Sequence, residues 1–301
     1  MFHIDYRPST FEEMIGNKST IESLEKKLLD EKRPHTYLFS GQSGCGKTTA
    51  ARIMSKELGG TENSIIEINC SNDNGVDTAR SIIAQMSTRP FDGGILVFIL
   101  DELHMTSKNF QNALLKPLED VTSWTYFFLC TTNPEKLLTT VKSRASKFIF
   151  EAPSKREMVR YMGKIVREEE KECGLKVLNE IAEKSESKPR ECLTTLEIVL
   201  ELDSEEKQLK AIQKTTNNTT SIKELCRLLL KPTPWGIVAS KLKEIEGEPE
   251  SIRRAVLGYM AAVLLGGSDN PKAGLIIECF ADNYYDTGKA GLIKSCYDIF
   301  N

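Results

Sequence analysis

Gly41-Gln-Ser-Gly44-Cys-Gly46-Lys47-Thr48 is the stretch on which the fold of this chain turns. It fits the spacing Gly-x-x-x-x-Gly-Lys-[Ser/Thr]. It follows the apolar run Thr36-Tyr-Leu-Phe-Ser-Gly41 and opens a helical pattern at Lys47. Each residue type has a physical reason. Glycines let the main chain curl until successive N–H groups point at phosphate oxygens, and the following helix adds its positive end. Ser43 and Cys45 would contribute through their backbone. Lys47 is a mobile cation for terminal phosphates, and the Thr48 hydroxyl is a hard ligand for Mg²⁺, with Thr49 the neighbouring alternative.

Working outward, the runs Ile65–Asn69, Ile95–Leu100, Tyr126–Thr132 and Lys147–Phe150 alternate with helical patterns near 47–58, 75–86 and 107–120. Strand–helix alternation of this kind predicts βαβ units and a parallel sheet covered on both faces. The run Ile95–Leu100 ends in Asp101-Glu102-Leu103-His104. Two acids at the carboxyl end of a buried strand point into the crevice where open α/β sheets bind ligands. Asp101 is therefore assigned to the metal and Glu102 to orienting or deprotonating the attacking water. His104 reads as a structural or coupling residue, because no other His or Cys stands near it in sequence.

Beyond Glu151-Ala-Pro153 the pattern changes to helices. Ser154 with Glu157 forms a capping box, about three helices follow, and Thr215-Thr-Asn-Asn-Thr-Thr-Ser221 reads as a linker. Further helices carry apolar runs at Ala255–Leu265 and Gly274–Phe280. The expected organisation is an α/β nucleotide-binding domain over 1–153, a small helical lid over 154–214, and an all-helical domain over 215–301.

Lys+Arg total 40 against 43 for Asp+Glu, so any nucleic-acid contact must be local rather than a global basic field. The 8 cysteines show no Cys-x-x-Cys pair or zinc spacing and read as reduced core thiols. No apolar stretch suggests a membrane span, and the N-terminus lacks a signal core. The expected location is cytoplasmic or nucleoid-associated, not secreted.

Five segments, in order, resemble the clamp-loader AAA+ ATPases, namely the bacterial gamma/tau subunit and the small subunits of replication factor C. They are Tyr6-Arg-Pro-Ser-Thr-Phe-Glu-Glu-Met-Ile-Gly16; the phosphate loop; Asp101–His104 with Asn112-Ala-Leu-Leu-Lys-Pro-Leu-Glu119; Thr131-Thr132-Asn133; and Ser143-Arg144-Ala145. The similarity covers roughly residues 4 to 200.

The resemblance implies an ATP- and Mg²⁺-dependent hydrolase that opens a sliding clamp and places it on primer–template DNA during replication. It would work with other loader subunits or copies of itself, typically as a pentamer held by a C-terminal helical collar. Tyr6, Arg7 and Pro8, with Ile15 and Gly16 nearby, would lie against the adenine. Thr132, with Asn133 as alternate, would sense the γ-phosphate. Arg144 would be the arginine finger reaching the neighbouring subunit's ATP, and Arg190 the second sensor on the lid. Arg80, Thr106, Ser107 and Lys108 would contact DNA phosphates, and the Gln85–Gly93 region would face the clamp.

The chain also departs from that family. The four-cysteine zinc module of the gamma/tau subunit is absent between the loop helix and the next strand. Ala145 stands in place of Cys, Leu118-Glu-Asp-Val-Thr122 replaces the usual Leu-Glu-Glu-Pro-Pro, and Pro117 should kink or end its helix. Pro189 and Ser187-Lys188 replace a glycine-rich lead-in to Arg190. These differences, with no long proline-rich tail, imply a compact loader. The alternative is another AAA+ nucleic-acid motor, such as a helicase loader or branch-migration ATPase. A non-catalytic loader subunit usually loses loop or acidic residues, and here Lys47, Thr48, Asp101 and Glu102 are all present.

Overall fold

The apolar runs become five strands: β1 (Thr36–Gly41), β2 (Ile65–Asn69), β3 (Leu96–Asp101), β4 (Thr125–Thr131) and β5 (Ser146–Phe150). All pair in parallel, in the order β2-β3-β4-β1-β5. The computed structural model describes residues 1–89, 94–245, 247–266 and 270–300, without the side chains of 214–220. Residues 90–93 of the expected clamp-facing region Gln85–Gly93 lie outside the described residues.

The chain divides into two units, Met1–Glu205 and Glu206–Asn301. The first holds the sheet and helices α1 (Phe2–Asp5), α2 (Lys18–Leu29), α3 (Lys47–Glu57), α4 (Val76–Met86), α5 (Lys108–Glu119), α6 (Thr139–Ser143), α7 (Lys155–Glu168), α8 (Leu175–Lys184) and α9 (Pro189–Leu200). Helix α10 (Glu205–Leu230) begins at the division. It is followed by α11 (Trp235–Glu244), α12 (Pro249–Leu265), α13 (Pro271–Cys279) and α14 (Gly288–Asp298).

Side chains alternate across the strands because successive Cβ atoms point to opposite faces. Tyr37, Phe39, Val97, Ile99 and Phe128 face one core with Leu24 of α2 and Ala50, Ile53 and Met54 of α3. Leu38, Phe98, Leu100, Phe127 and Leu129 face the other, with Ile82 of α4 and Phe110 and Leu114 of α5. Burial of each large apolar side chain contributes about 1.5–3 kcal/mol. The two filled faces hold the strand ends rigidly, and it is those ends that carry the polar residues of the site.

The capping box forms as expected. Ser154 Oγ accepts from Glu157 N–H, while the Glu157 carboxylate accepts from Ser154 N–H. Helices α7, α8 and α9 bury Met158, Met162, Ile165, Ile181, Leu193 and Leu196 among themselves. Pro117 lies inside α5, which runs two residues further and ends at Glu119.

The expected linker is a correction: Thr215–Ser221 falls inside the 26-residue helix α10. Thr, Asn and Ser are each at most about 0.7 kcal/mol poorer helix formers than Ala. The buried residues Ile212, Leu225, Cys226 and Leu229 on either side outweigh that penalty. In the second unit those last three pack with Val238, Leu242, Val256, Met260, Ile276 and Phe280. All 8 cysteines are free, and Cys45, Cys70, Cys130, Cys192, Cys226 and Cys296 are buried. Among the described residues no helix is long and apolar enough to cross a membrane.

Candidate active site

β1 sits between β4 and β5, so the chain leaving it at Gly41 turns over the carboxyl edge of the sheet. Gly41, Gly44 and Gly46 have φ of 147°, 77° and 94°. These are values at which an L side chain is strained. At Gly41 space forbids one as well, since a Cβ would stand 2.0 Å from the Phe150 carbonyl oxygen. The loop thus fits against β5 only as glycine.

Lys47, the first residue of α3, is 5% exposed, and its ammonium donates to the carbonyls of Gly41 (2.9 Å) and Gln42 (2.8 Å). Among the described residues no carboxylate pairs with it. A buried cation held only by carbonyl dipoles is matched to an incoming anion. One residue on, Thr48 Oγ1 donates to Asp101 Oδ2 at 2.7 Å, bringing the start of α3 onto the end of β3. Two hard oxygens so placed suit a small divalent cation that takes its remaining ligands from phosphate and water. No cluster of three or more His, Cys, Asp or Glu residues suited to a metal occurs among the described residues.

The chain turns sharply after Asp101. Glu102 has φ of 52°, its N–H donates to Asp101 Oδ1 at 3.0 Å, and a 3₁₀ turn over Leu103–Met105 follows. The turn carries His104 back onto the end of β4. Its Nδ1 lies 3.2 Å from Thr131 Oγ1 and 3.3 Å from Glu102 Oε2, and Thr132 Oγ1 donates to Glu102 Oε2 at 3.3 Å. Burial pushes the His104 imidazole below its ordinary pKa, while the Glu102 carboxylate pulls the other way.

A cleft above the loop collects most of the residues singled out from sequence. Tyr6, Arg7, Pro8 and Ile15 line it from the N-terminal segment, Ser43 to Thr49 form its floor, and Asp101 and Glu102 one wall. Arg190, at the start of α9, closes the top, close enough that a Cβ on Gly44 would lie 3.3 Å from its own Cβ. Glu186 and Ser187, in the lead-in to Arg190, adopt φ of 50° and 55°. Side chains thus occupy left-handed positions that glycine fills at less cost. Tyr6 is pinned to α7 and the residue after it: its hydroxyl donates to Glu169 Oε1 at 2.6 Å, and Tyr161 donates to the Tyr6 carbonyl at 2.8 Å. The Glu169 bond pushes the Tyr6 phenol up to about 12.

Other expected residues lie off the cleft wall. Gly16 packs against Pro153 instead, with Asn17 exchanging two hydrogen bonds with Glu151. Asn133 donates its N–H to Thr131 Oγ1 at 3.1 Å. Arg144 follows α6, where it donates to Thr140 O (3.0 Å) and Glu119 Oε2 (2.8 Å). Arg80 pairs with Asp77 on an exposed face of α4, and Ser107 and Lys108 are exposed at the start of α5. Thr106 is a correction. It is buried, and its hydroxyl donates to Leu103 O at 2.7 Å, closing the turn rather than facing a phosphate.

The cleft also contains a pair that sequence reasoning missed. Arg52 makes a two-point ion pair with Glu67 of β2, at 2.6 and 2.8 Å. Arg52 stands four residues after Thr48, hence on the same helix face, and that spacing was the available signal. Arg7 is held below the ordinary arginine range by burial, then by the Arg52 and Arg190 charges. Arg7, Arg190 and Lys47 thus share the crevice with the paired Arg52 and Glu67 and with Asp101 and Glu102.

Comparison with known proteins finds similarity over this part of the chain. A family model described as DNA polymerase III, delta subunit, matches residues 65–154, and one described as Zeta toxin matches residues 19–71. The DNA polymerase III subunit tau of Bacillus subtilis is 33% identical over 213 residues, 64% of this chain and 38% of that protein. The subunit tau/gamma of Haemophilus influenzae is 32% identical over 185 residues, 54% of this chain and 27% of that protein. The subunit gamma/tau of Mycoplasma genitalium is 28% identical over 239 residues, 72% and 40% respectively. The match therefore spans two fifths or less of those three relatives. Among solved structures, the Thermotoga maritima RuvB Holliday junction branch migration motor superposes with a TM-score of 0.58 at 22% identity, over 80% of this chain and 86% of that one. At that identity the likeness is one of fold alone: a parallel α/β sheet with helices.

Proposed function

We propose that this chain, whose relatives support the clamp-loader AAA+ family, is an ATPase subunit that opens a ring-shaped sliding clamp and places it on primer–template DNA. The observation that carries this reading is the meeting of Lys47, Thr48, Asp101 and Glu102 at one crevice. ATP would lie with its triphosphate along Gly41–Thr48. Lys47 would exchange its two carbonyl partners for β- and γ-phosphate oxygens, and Tyr6, Arg7, Pro8 and Ile15 would flank the base. Thr48 and Asp101 would hold Mg²⁺, which when bound draws charge off the phosphate oxygens.

Glu102 then orients the attacking water and accepts its proton, and Thr132 reports the γ-phosphate, with Asn133 behind it. Arg190 ties the lid to the nucleotide. Arg144 is the finger offered to the ATP of a neighbouring subunit, so hydrolysis depends on assembly. Arg80, on an exposed face of α4, and Ser107 and Lys108, exposed at the start of α5, suit contacts to DNA phosphates that position without reading sequence. The partners are a clamp, primer–template DNA, and further loader subunits or copies in a pentamer.

The test is ATP turnover by the full chain, assembled with its loader partners if it needs them, with primer–template DNA, the cognate clamp, both, or neither. Stimulation that needs both supports the loader. Stimulation by DNA alone, indifferent to the clamp, shifts the assignment to another AAA+ nucleic-acid motor. Absence of ATP turnover under all four conditions removes the enzymatic reading.

A further inference from the structure

We propose that His104 is a positioning residue for Glu102, anchoring one carboxylate oxygen so that the other is presented to the attacking water. The inference rests on the ATP-hydrolysing reading above. Glu102 is itself the left-handed residue that follows β3, and its side chain is 30% exposed, so the direction of the carboxylate is left to its side-chain neighbours. What holds it is a small polar knot. His104, 11% exposed, places Nδ1 3.3 Å from Glu102 Oε2, and Thr132 Oγ1 reaches the same oxygen at 3.3 Å.

The tautomer follows from the neighbours. A carboxylate oxygen beside Nδ1 calls for the proton on that nitrogen, which leaves Nε2 unprotonated, 3.5 Å from the Thr132 oxygen whose single proton goes to Glu102. Thr131 completes the support: its oxygen accepts the Asn133 N–H at 3.1 Å and lies 3.2 Å from His104 Nδ1. Oε2 thus accepts from Thr132, just past β4, and stands 3.3 Å from Nδ1 of His104 in the 3₁₀ turn. Among the described residues no donor reaches Oε1. A single hydroxyl cannot serve Glu102 and a γ-phosphate equally well. Once Thr132 turns to the nucleotide, His104 is the remaining anchor, and the direction of Glu102 depends on it.

The test is steady-state turnover of the full chain under the conditions that stimulate the wild type, using His104→Ala, His104→Asn and His104→Gln, each also combined with Glu102→Gln. The Asn amide N–H falls near the Nδ1 position, whereas the Gln amide reaches toward Nε2. The expected result is a kcat loss of about tenfold for His104→Ala with little change in KM for ATP. Asn restores most of that loss and Gln does not. In the Glu102→Gln background none of the three lowers residual turnover further. A His104→Ala enzyme with wild-type kcat, rescue by Gln equal to that by Asn, or an additional loss on top of Glu102→Gln overturns the proposal. If His104→Ala fails to fold, the contrast between Asn and Gln decides. An inactive wild type overturns the ATPase reading and this inference with it, whereas an active wild type with a silent His104 overturns the inference alone.

Discussion

Thr48 and Asp101 stand 53 residues apart in sequence, yet the Thr48 hydroxyl donates to Asp101 Oδ2 at 2.7 Å. One bond joins the start of α3 to the acidic end of β3, and the two oxygens form the corner where a magnesium ion would sit. Thr48→Ala removes one hard ligand and leaves the loop amides intact. The expected outcome is a rise of roughly tenfold or more in the Mg²⁺ concentration giving half-maximal ATP turnover. Metal-free nucleotide binding should change little. A Mg²⁺ titration of the turnover rate with unchanged midpoint takes Thr48 out of the metal site.

Lys47→Ala acts on binding itself. The ammonium is buried with carbonyls as its only protein partners among the described residues, so it is poised to take up anionic oxygens. Charge-assisted bonds of this kind contribute about 1.5–3 kcal/mol each. ATP affinity, read by calorimetry or a fluorescent analogue, should fall roughly 10–100-fold or more. The melting temperature without nucleotide should hold or rise, because the mutation also removes a desolvated charge.

Glu102→Gln separates binding from chemistry. The amide is isosteric with the carboxylate but cannot accept a proton from water. Turnover should drop on the order of 10²–10⁴-fold while ATP affinity stays near that of the wild type. Single-turnover measurements with labelled ATP distinguish a chemical block from slow product release. A variant that hydrolyses normally assigns the water-orienting role elsewhere.

The sheet and the phosphate loop were legible in the sequence because apolar runs in a two-sided sheet are continuous, and because the loop spacing has few other uses. All five runs become strands, with bounds shifted by about one residue at most, and Ser154 caps α7 as expected. What escaped depends on three-dimensional juxtaposition. Arg52 meets Glu67 only because β2 packs beside β3, and His104 meets Glu102 only through a left-handed residue followed by a 3₁₀ turn. Thr106 was a DNA contact by resemblance alone, which carries no information on the turn that folds its hydroxyl onto Leu103 O. The helix through Thr215–Ser221 was hidden by residues of weak propensity, overridden by apolar packing on either side.

Arg144 gives a prediction that only the assembled protein can show. Its guanidinium is held by Thr140 O and Glu119 Oε2, with the side chain 28% exposed. Arg144→Ala should leave ATP binding unchanged and cut stimulated hydrolysis by about 10³–10⁵-fold, the range for an arginine supplied across a subunit interface. Glu119→Ala, which frees the Arg144 guanidinium from its carboxylate without removing it, should cost far less. Mixing Arg144→Ala with Lys47→Ala subunits tests the arrangement in trans, because a neighbour carrying an intact Arg144 should restore hydrolysis at a wild-type loop. Loss confined to the mutant subunit's own site contradicts it.

Glu250, in the first turn of α12, is 4% exposed and accepts from Arg253, Arg254 and the Tyr284 N–H. The Arg253 bonds are the main reason its carboxyl is lowered to about 2. A carboxylate depressed in the folded state stabilises above its unfolded pKa, and that stability is lost as pH falls through the folded value. Glu250→Gln should therefore lower the melting temperature at neutral pH, because Arg253 loses its charged partner within the helical packing. The gap between wild type and variant should hold down to about pH 4.5 and close as pH approaches about 2. Thermal melts across that range check the sign directly. A gap that persists unchanged to pH 2 means that Glu250 acts through its shape rather than its charge.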